Sequence, residues 1–114
     1  MPEWLVKVKD NKDVDRAPYY PEHMRDLPSL VDGGIIVVAG ALTTPEGKEI
    51  GGMFIVTAKT KEEAIEIVKR DVFARKGIFN MDSVTCERTI GIRTARSFEP
   101  CAKEFESVGR KVYG

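Results

Sequence analysis

The chain has 114 residues, among them 18 Lys plus Arg, 18 Asp plus Glu and a single His, so its formal net charge is zero. This length fits one small domain, and a hydrophobic content of 42% is too high for a disordered chain. The charge balance argues against a nucleic-acid partner, because domains that bind nucleic acid usually carry a basic excess. One His and two Cys exclude a dense zinc cage, and we expect no metal.

The first half of the chain predicts a strand, a helix and a second strand. Apolar side chains alternate with others in residues 3–9, which is typical of a strand. A helix is predicted from Pro21, which suits a first helical turn, to the glycine pair at 33–34. Pro28 removes a helical hydrogen bond at a cost of ~3 kcal/mol, so we expect either a kink or two short helices. Apolar residues at 35–42 predict the second strand.

The second half predicts two more strands around a second helix. A polar turn with Pro and Gly at 43–49 indicates a hairpin, and 51–58 is the third strand, apolar on both faces. Thr60, with a glutamate three residues later, forms a capping box that opens the second helix. This helix is expected to run to about Phe73. Residues 81–92 predict the fourth strand.

The order β-α-β-β-α-β predicts an α+β fold of the ferredoxin-like type, a four-stranded antiparallel sheet with two helices on one face. We expect this domain to span residues 1–94, with 95–114 forming a short amphipathic helix. The second and third strands do not alternate, so the open face of the sheet also requires burial. The simplest way to bury this face is a homodimer in which the sheets of two chains pack face to face, which is a dimeric α/β barrel. In the alternative, the tail covers part of the sheet in a monomer.

The cysteines and the apolar runs suggest the compartment. Cys86 and Cys101 form no CxxC motif, and the chain shows no signal-peptide pattern at its start. The longest apolar run, 35–39, is far too short to span a membrane. We therefore expect a cytoplasmic protein with reduced thiols and no membrane partner, in which Cys86 is buried and inert.

His23 and Asp71 are the two candidate groups for chemistry. His23 is the only side chain with an unperturbed pKa near neutrality, and it falls on the first turn of the first helix. Asp71 is expected near the end of the second helix, where the macrodipole disfavours an acid, so an imidazolium could compensate it. From the residues alone, a solvated His23 and a local pair of Asp71 with Arg70 or Arg75 are the simpler interpretations.

An ordered set of residues resembles the YCII-related family of small dimeric α/β-barrel proteins. The resemblance covers about four fifths of the chain. It rests on His23, the strand 34–41, Gly51–Gly52, the helix start at 60–64, and Asp71 with Phe73, listed here in chain order. In that family, a histidine and an aspartate at these places form an active site beside the sheet. The resemblance therefore implies that His23 and Asp71 are catalytic. We expect Tyr20, Arg16 and Phe73 to bind substrate.

Three positions depart from the family pattern. Tyr20 stands where the family usually has an arginine, Val72 where it has a proline, and Met53 where it often has a serine. The pocket is therefore expected to be less cationic than usual, which counts against an acidic substrate. Arg16 is the residue that could supply the missing charge.

The resemblance implies a small enzyme that uses the His–Asp pair for general acid/base chemistry. Such an isomerase, lyase or dehalogenase would act on a small cyclic or aromatic metabolite. No cofactor is expected, because the pairs Gly33–Gly34 and Gly51–Gly52 are interpreted as turn glycines and lack the spacing of a dinucleotide loop. The alternative is a dimeric module that binds a small molecule without catalysis, since this fold hosts many functions. An RNA-recognition module is rejected, because the third strand offers only Phe54 as an aromatic residue.

Overall fold

The computed structural model describes residues 1–90, together with Lys103, Glu106 and Gly109. The elements in chain order are β1 (Glu3–Asp10), a 3-10 turn (Ala17–Tyr19), α1 (Tyr20–Asp32), β2 (Ile36–Thr43), β3 (Glu49–Thr57), α2 (Lys61–Lys69), α3 (Val72–Arg75) and β4 (Phe79–Thr89). The predicted tail helix at 95–114 lies almost entirely outside the described residues, so it and the domain boundary at 94 stay predictions.

The four strands form one antiparallel sheet in the order β2-β3-β1-β4, which confirms the ferredoxin-like prediction. The central strand β1 supplies Val6 and Val8 to the core, as their alternation predicts, and both side chains are almost fully buried. Buried residues of α1, α2 and α3 join this cluster. The helices therefore cover one face of the sheet, and the described residues contain no helix long and apolar enough to cross a membrane.

The first helix is continuous through its proline. α1 spans 13 residues with Pro28 inside it, so of the two alternatives, a kink or two short helices, the second is wrong. Met24 and Leu27 are buried against the sheet just before the proline. This packing offsets the loss of the one helical hydrogen bond that Pro28, which has no N–H, cannot donate. Gly33 caps the helix as predicted, and Gly34 follows with a φ of 77°, a conformation that favours glycine.

The second predicted helix is two helices. The Thr60 half of the capping box is confirmed, because the Thr60 hydroxyl accepts a hydrogen bond from the Glu63 backbone N–H. The Glu63 carboxylate reaches back one residue further than predicted and accepts from the Lys59 backbone N–H. However, α2 ends at Lys69, and α3 begins at Val72. The expected continuous helix to Phe73 is therefore wrong. Asp71 lies in the break with extended backbone angles (φ −62°, ψ 143°), which a helix interior does not allow.

The glycine pair Gly51–Gly52 lies within β3 and does not form a turn, which corrects the interpretation from sequence. A Cβ at Gly51 would lie 2.5 Å from the Val8 carbonyl oxygen, and one at Gly52 would lie 2.9 Å from Cζ of Phe79. Both positions are therefore places where a neighbouring strand or ring approaches the backbone closely. At Gly52, the space that a side chain would fill borders the cleft described below.

Candidate active site

His23 and Asp71 lie side by side although they are 48 positions apart in the chain. His23 Nδ1 is 2.7 Å from Asp71 Oδ2, and the two side chains are only 12% and 13% exposed. The contact joins the first turn of α1 to the break between α2 and α3. An ionised carboxylate can only accept a hydrogen bond, so Nδ1 is the donor and the neutral ring keeps a lone pair on Nε2. The pair can therefore act as an oriented base.

Asp71 is held from a second side. Its Oδ1 accepts a hydrogen bond of 2.8 Å from the Phe73 backbone N–H, which makes Asp71 the N-cap of α3. Asp71 does lie directly after the C-cap of the second helix, as predicted, but its carboxylate caps the N-terminus of α3, where an acid is favourable. The alternative local pair with Arg75 does not form, since Arg75 binds Glu22 at 2.9 Å. Asp71 thus serves helix α3 with one oxygen and His23 with the other.

Aromatic rings fix the orientation of the imidazole. The His23 ring stacks on Phe73 with centroids 4.4 Å apart and planes 19° apart. Tyr20 packs edge-on against both rings, at 6.2 Å from His23 and 5.6 Å from Phe73. Phe73 is almost fully buried in the core. The imidazole therefore has a rigid platform as well as a hydrogen-bonded partner.

A cleft that is partly open to solvent lies between α1 and the sheet. Its wall combines one histidine and one arginine with apolar and aromatic residues. They are Arg16, Tyr20, His23, Met24, Leu27, Ala39, Gly40, Ala41, Gly52, Phe54, Phe73 and Phe79. Four of the five predicted site residues line this cleft, and the fifth, Asp71, contacts one of them. A concave, mostly apolar site with few polar groups is typical of small-molecule binding.

Arg16 reaches this site, but its charge is already paired. Its guanidinium donates to both oxygens of Asp10, to Glu49 at 2.8 Å and to the Gly51 carbonyl at 2.9 Å. Burial by itself lowers the pKa of Arg16, but the hydrogen bond and charge of Asp10, with the charge of Glu49, outweigh it and raise the pKa above its usual value. The Tyr20 hydroxyl is 3.0 Å from both Glu49 oxygens.

Asp10 and Glu49 are site residues that sequence reasoning missed. They lie at the end of β1 and the start of β3, and each is one of 18 acidic residues in the chain. Neither belongs to a motif. Because only the pairing of β1 with β3 brings both to Arg16, no local pattern could have identified them. Phe79, whose ring lies 5.6 Å from the Arg16 guanidinium carbon, was missed for the same reason.

The fold and the cleft define a small ferredoxin-like domain that places a hydrogen-bonded His–Asp pair beside an apolar cleft. A family model for the YCII-related domain matches residues 3–86, and the chain belongs to this family. The match confirms the resemblance drawn from the sequence. It includes His23, Asp71 and every residue that lines the cleft.

The chain is also similar, at below 30% sequence identity, to curated proteins. The chain is 29% identical over 91 residues to Aspartate kinase FUB3 of Fusarium oxysporum f. sp. lycopersici; the match covers 73% of this chain and spans 17% of the kinase's length. It is 28% identical over 91 residues to Fusaric acid biosynthesis protein 2 of Gibberella fujikuroi, covering 73% of this chain and 88% of that protein.

A solved structure shares the fold. It is 5-chloro-2-hydroxyhydroquinone dehydrochlorinase from Burkholderia phenoliruptrix AC1100, in complex with 2,5-dihydroxybenzoquinone. The TM-score is 0.57 at 22% sequence identity, and the match covers 76% of this chain and 92% of that chain. At this identity the likeness shows the architecture alone.

Proposed function

We propose that the protein is a small acid/base enzyme in which His23 moves a proton to or from a ring-shaped metabolite bound in the cleft. The observation that carries the proposal is the 2.7 Å contact between His23 Nδ1 and Asp71, at the wall of an apolar cleft. The dehydrochlorinase that shares the fold acts on a hydroxylated aromatic ring, which supports this substrate class. The reaction is an isomerisation or the loss of a small leaving group.

In this mechanism Asp71 holds the proton of His23 on Nδ1. The lone pair on Nε2 then takes a proton from a ring hydroxyl or an acidic ring carbon, and Asp71 stabilises the imidazolium that forms. In an isomerisation, the imidazolium returns this proton to another atom of the ring. In the loss of a leaving group, the imidazolium first protonates the ring carbon that bears the group; the group then departs with its bonding electron pair as a second ring hydroxyl gives its proton to Nε2, which passes it to water. Proton transfer by a positioned side chain of this kind contributes about 10²–10⁴-fold in rate. Phe73 and Tyr20 hold the imidazole ring in place.

The test is turnover by His23→Ala with and without added free imidazole. The probes are a chlorinated hydroquinone under anaerobic conditions, with chloride release as the readout, a ring lactone and a muconate-like acid. Because the chain has one histidine, no second imidazole can replace it. We expect His23→Ala to bind the probe and lose turnover, and free imidazole to restore part of it. Asp26→Asn, an exposed change one helical turn away, is the control and is expected to keep full turnover.

The alternative, a non-catalytic binding module, makes the opposite prediction. In that case the wild-type chain binds a ring compound but converts none of the probes. Equal turnover by the wild-type chain and His23→Ala would also contradict the acid/base proposal.

We also propose that the open sheet face forms a homodimer. The strand register places Leu5, Ile55 and Val38 in one row across β1, β3 and β2, on the face away from the helices. Met53 lies on the same face in the next row. These apolar residues adjoin one another on neighbouring strands; Ile55 is buried, and Leu5, Val38 and Met53 are half-buried. The dimer would bury the part of this row that is still accessible to solvent.

Light scattering after size-exclusion chromatography tests the dimer. The expected mass is twice the 12.7 kDa of one chain. Met53→Glu is expected to lower it towards one chain, whereas Ile50→Glu, at an exposed position of β3, makes the same chemical change and is the control. A wild-type mass of 12.7 kDa would contradict the proposal.

A further inference from the structure

Arg75, the last residue of α3, makes two hydrogen bonds to the segments that carry the His–Asp pair. Its Nη2 donates to Oε2 of Glu22 at 2.9 Å, and its Nε donates to the Arg70 carbonyl oxygen at 3.0 Å. Glu22 directly precedes His23 in α1, and Arg70 directly precedes Asp71. The guanidinium therefore joins the two residues next to the pair and forms a second bridge between the same two segments.

The bond to the Arg70 carbonyl ties α3 to the end of α2. Arg70 is the C-cap of α2, a position at which carbonyl oxygens find no partner further along their own helix. A cation close to these oxygens also interacts favourably with the helix dipole. The bond from Arg75 thus spans the break between the two helices, in which Asp71 lies.

The chemistry of arginine suits this bridge. A guanidinium presents its Nε and Nη donors in a rigid planar fork, so one side chain binds two acceptors in a set geometry, whereas lysine offers one ammonium on a flexible stem. The side chains of Arg75 and Glu22 are 48% and 40% exposed, so water weakens their attraction. An exposed ion pair of this kind favours the joined arrangement by up to about fivefold in equilibrium constant. This effect is small for the whole chain, but it falls directly beside the proposed base.

We propose that Arg75 is a positioning residue, which keeps Asp71 against Nδ1 of His23 by holding the break after α2 next to the first turn of α1. Among the described residues, those that line the cleft do not include Arg75. It therefore acts on the pair through Glu22 and the Arg70 carbonyl. The inference rests on the proposed function in that His23 is the base, but the geometry that it predicts can be measured without turnover.

Hydrogen exchange with water, followed by NMR on the full chain, tests the inference. The Nδ1 proton of His23 and the backbone N–H of Phe73 both bond to the Asp71 carboxylate, so their exchange rates report how often this carboxylate moves away. Arg75→Gln is expected to raise both rates about two- to fivefold. Arg75→Lys keeps the charge without the fork, so its rates are expected to lie between those of the wild-type chain and Arg75→Gln.

Arg70→Gln is the matched control. It removes a positive charge next to Asp71 and keeps the carbonyl oxygen that Arg75 binds, so both rates are expected to match those of the wild-type chain. The backbone N–H groups of β1 report a merely structural role, since a general loss of stability would raise their rates by the same factor. Equal rates in Arg75→Gln and Arg70→Gln, or an equal rise in β1, would overturn the inference.

Turnover of the ring probes gives a separate readout. Because Arg75 acts on the base and not on the bound ring, Arg75→Gln is expected to lower kcat about two- to fivefold and to leave KM unchanged. A change in KM alone would contradict the positioning role. If the wild-type chain converts none of the probes, the proposed function fails, and the exchange rates still decide whether Arg75 holds the pair.

Discussion

Substitution of Asp71 by Asn separates the two roles of this side chain. Asp71 accepts one hydrogen bond from the Phe73 backbone N–H and faces His23 Nδ1 with its other oxygen. An Asn side chain keeps one acceptor, which can still cap α3, but presents an amide N–H₂ to the imidazole. Nδ1 must then accept, so the ring proton moves to Nε2. The variant therefore removes the base without removing the cap.

Asp71→Asn is expected to change the stability of the fold only modestly and the rate of turnover strongly. Asn and Asp are about equally good N-caps, so the cap contributes little to any loss of stability. Exchange of the charge-assisted bond to His23 for a neutral one is expected to lower the free energy of unfolding by about 1 kcal/mol. Asp71→Ala also loses the cap and is expected to cost about 1 kcal/mol more. Turnover of Asp71→Asn is expected to fall by about 10²–10⁴-fold, because Nε2 can no longer accept a proton.

The assay uses the single histidine. In a chain with one imidazole, the ¹⁵N chemical shifts of that ring report its tautomer without assignment ambiguity. The expected result at alkaline pH is Nδ1–H in the wild-type chain and Nε2–H in Asp71→Asn. The exposed control Asp26→Asn is expected to match the wild-type chain. Nε2–H in the wild-type chain, or the same tautomer in Asp71→Asn, would refute the reasoning.

Three further outcomes follow from the packing. Gly52→Ala places a Cβ 2.9 Å from Phe79 and is expected to weaken ring binding by NMR titration more than Gly40→Ala, which meets no atom within 4 Å. Thr60→Ala removes the α2 cap and is expected to cost about 1 kcal/mol in urea unfolding, whereas Thr60→Ser retains stability. Burial raises the pKa of the Cys86 thiol, so the folded chain keeps that proton longer than the unfolded chain. Stability should therefore fall as pH rises past about 8.5, and Cys86→Ala should reduce this decline in urea unfolding at pH 7 and 9.5.

The regular part of the fold could be predicted from local patterns. Alternation identified β1, the apolar run identified β2, and the Thr60 capping box located the start of α2 to the residue. These signals depend on the period of side chains along one element and on hydrogen bonds within a few residues. The order of elements then defined the sheet, because few topologies suit it.

The break before α3 could not be predicted in the same way. Apolar residues continue at helical spacing from Val68 to Val72, so the sequence has the period of one helix. The competing signal is Asp71, which favours a cap over a helix interior. The tertiary contact with His23 stabilises the capping conformation of Asp71, and a local sequence pattern cannot show that contact. The pairing of Arg16 with Asp10 and Glu49 was beyond local reasoning too, since it arises from strand register.

The double role of Asp71 gives a physical reason why the site stands at this break. A helix of four residues such as α3 cannot persist alone, because its nucleation cost exceeds the few hydrogen bonds that it closes. It needs a cap and a buried side chain, and Asp71 and Phe73 supply them. The same two residues hold His23, one through its Nδ1 and the other by ring stacking. Any loss of order in α3 would therefore release the imidazole, so the interactions that stabilise this turn also preorganise the proposed base.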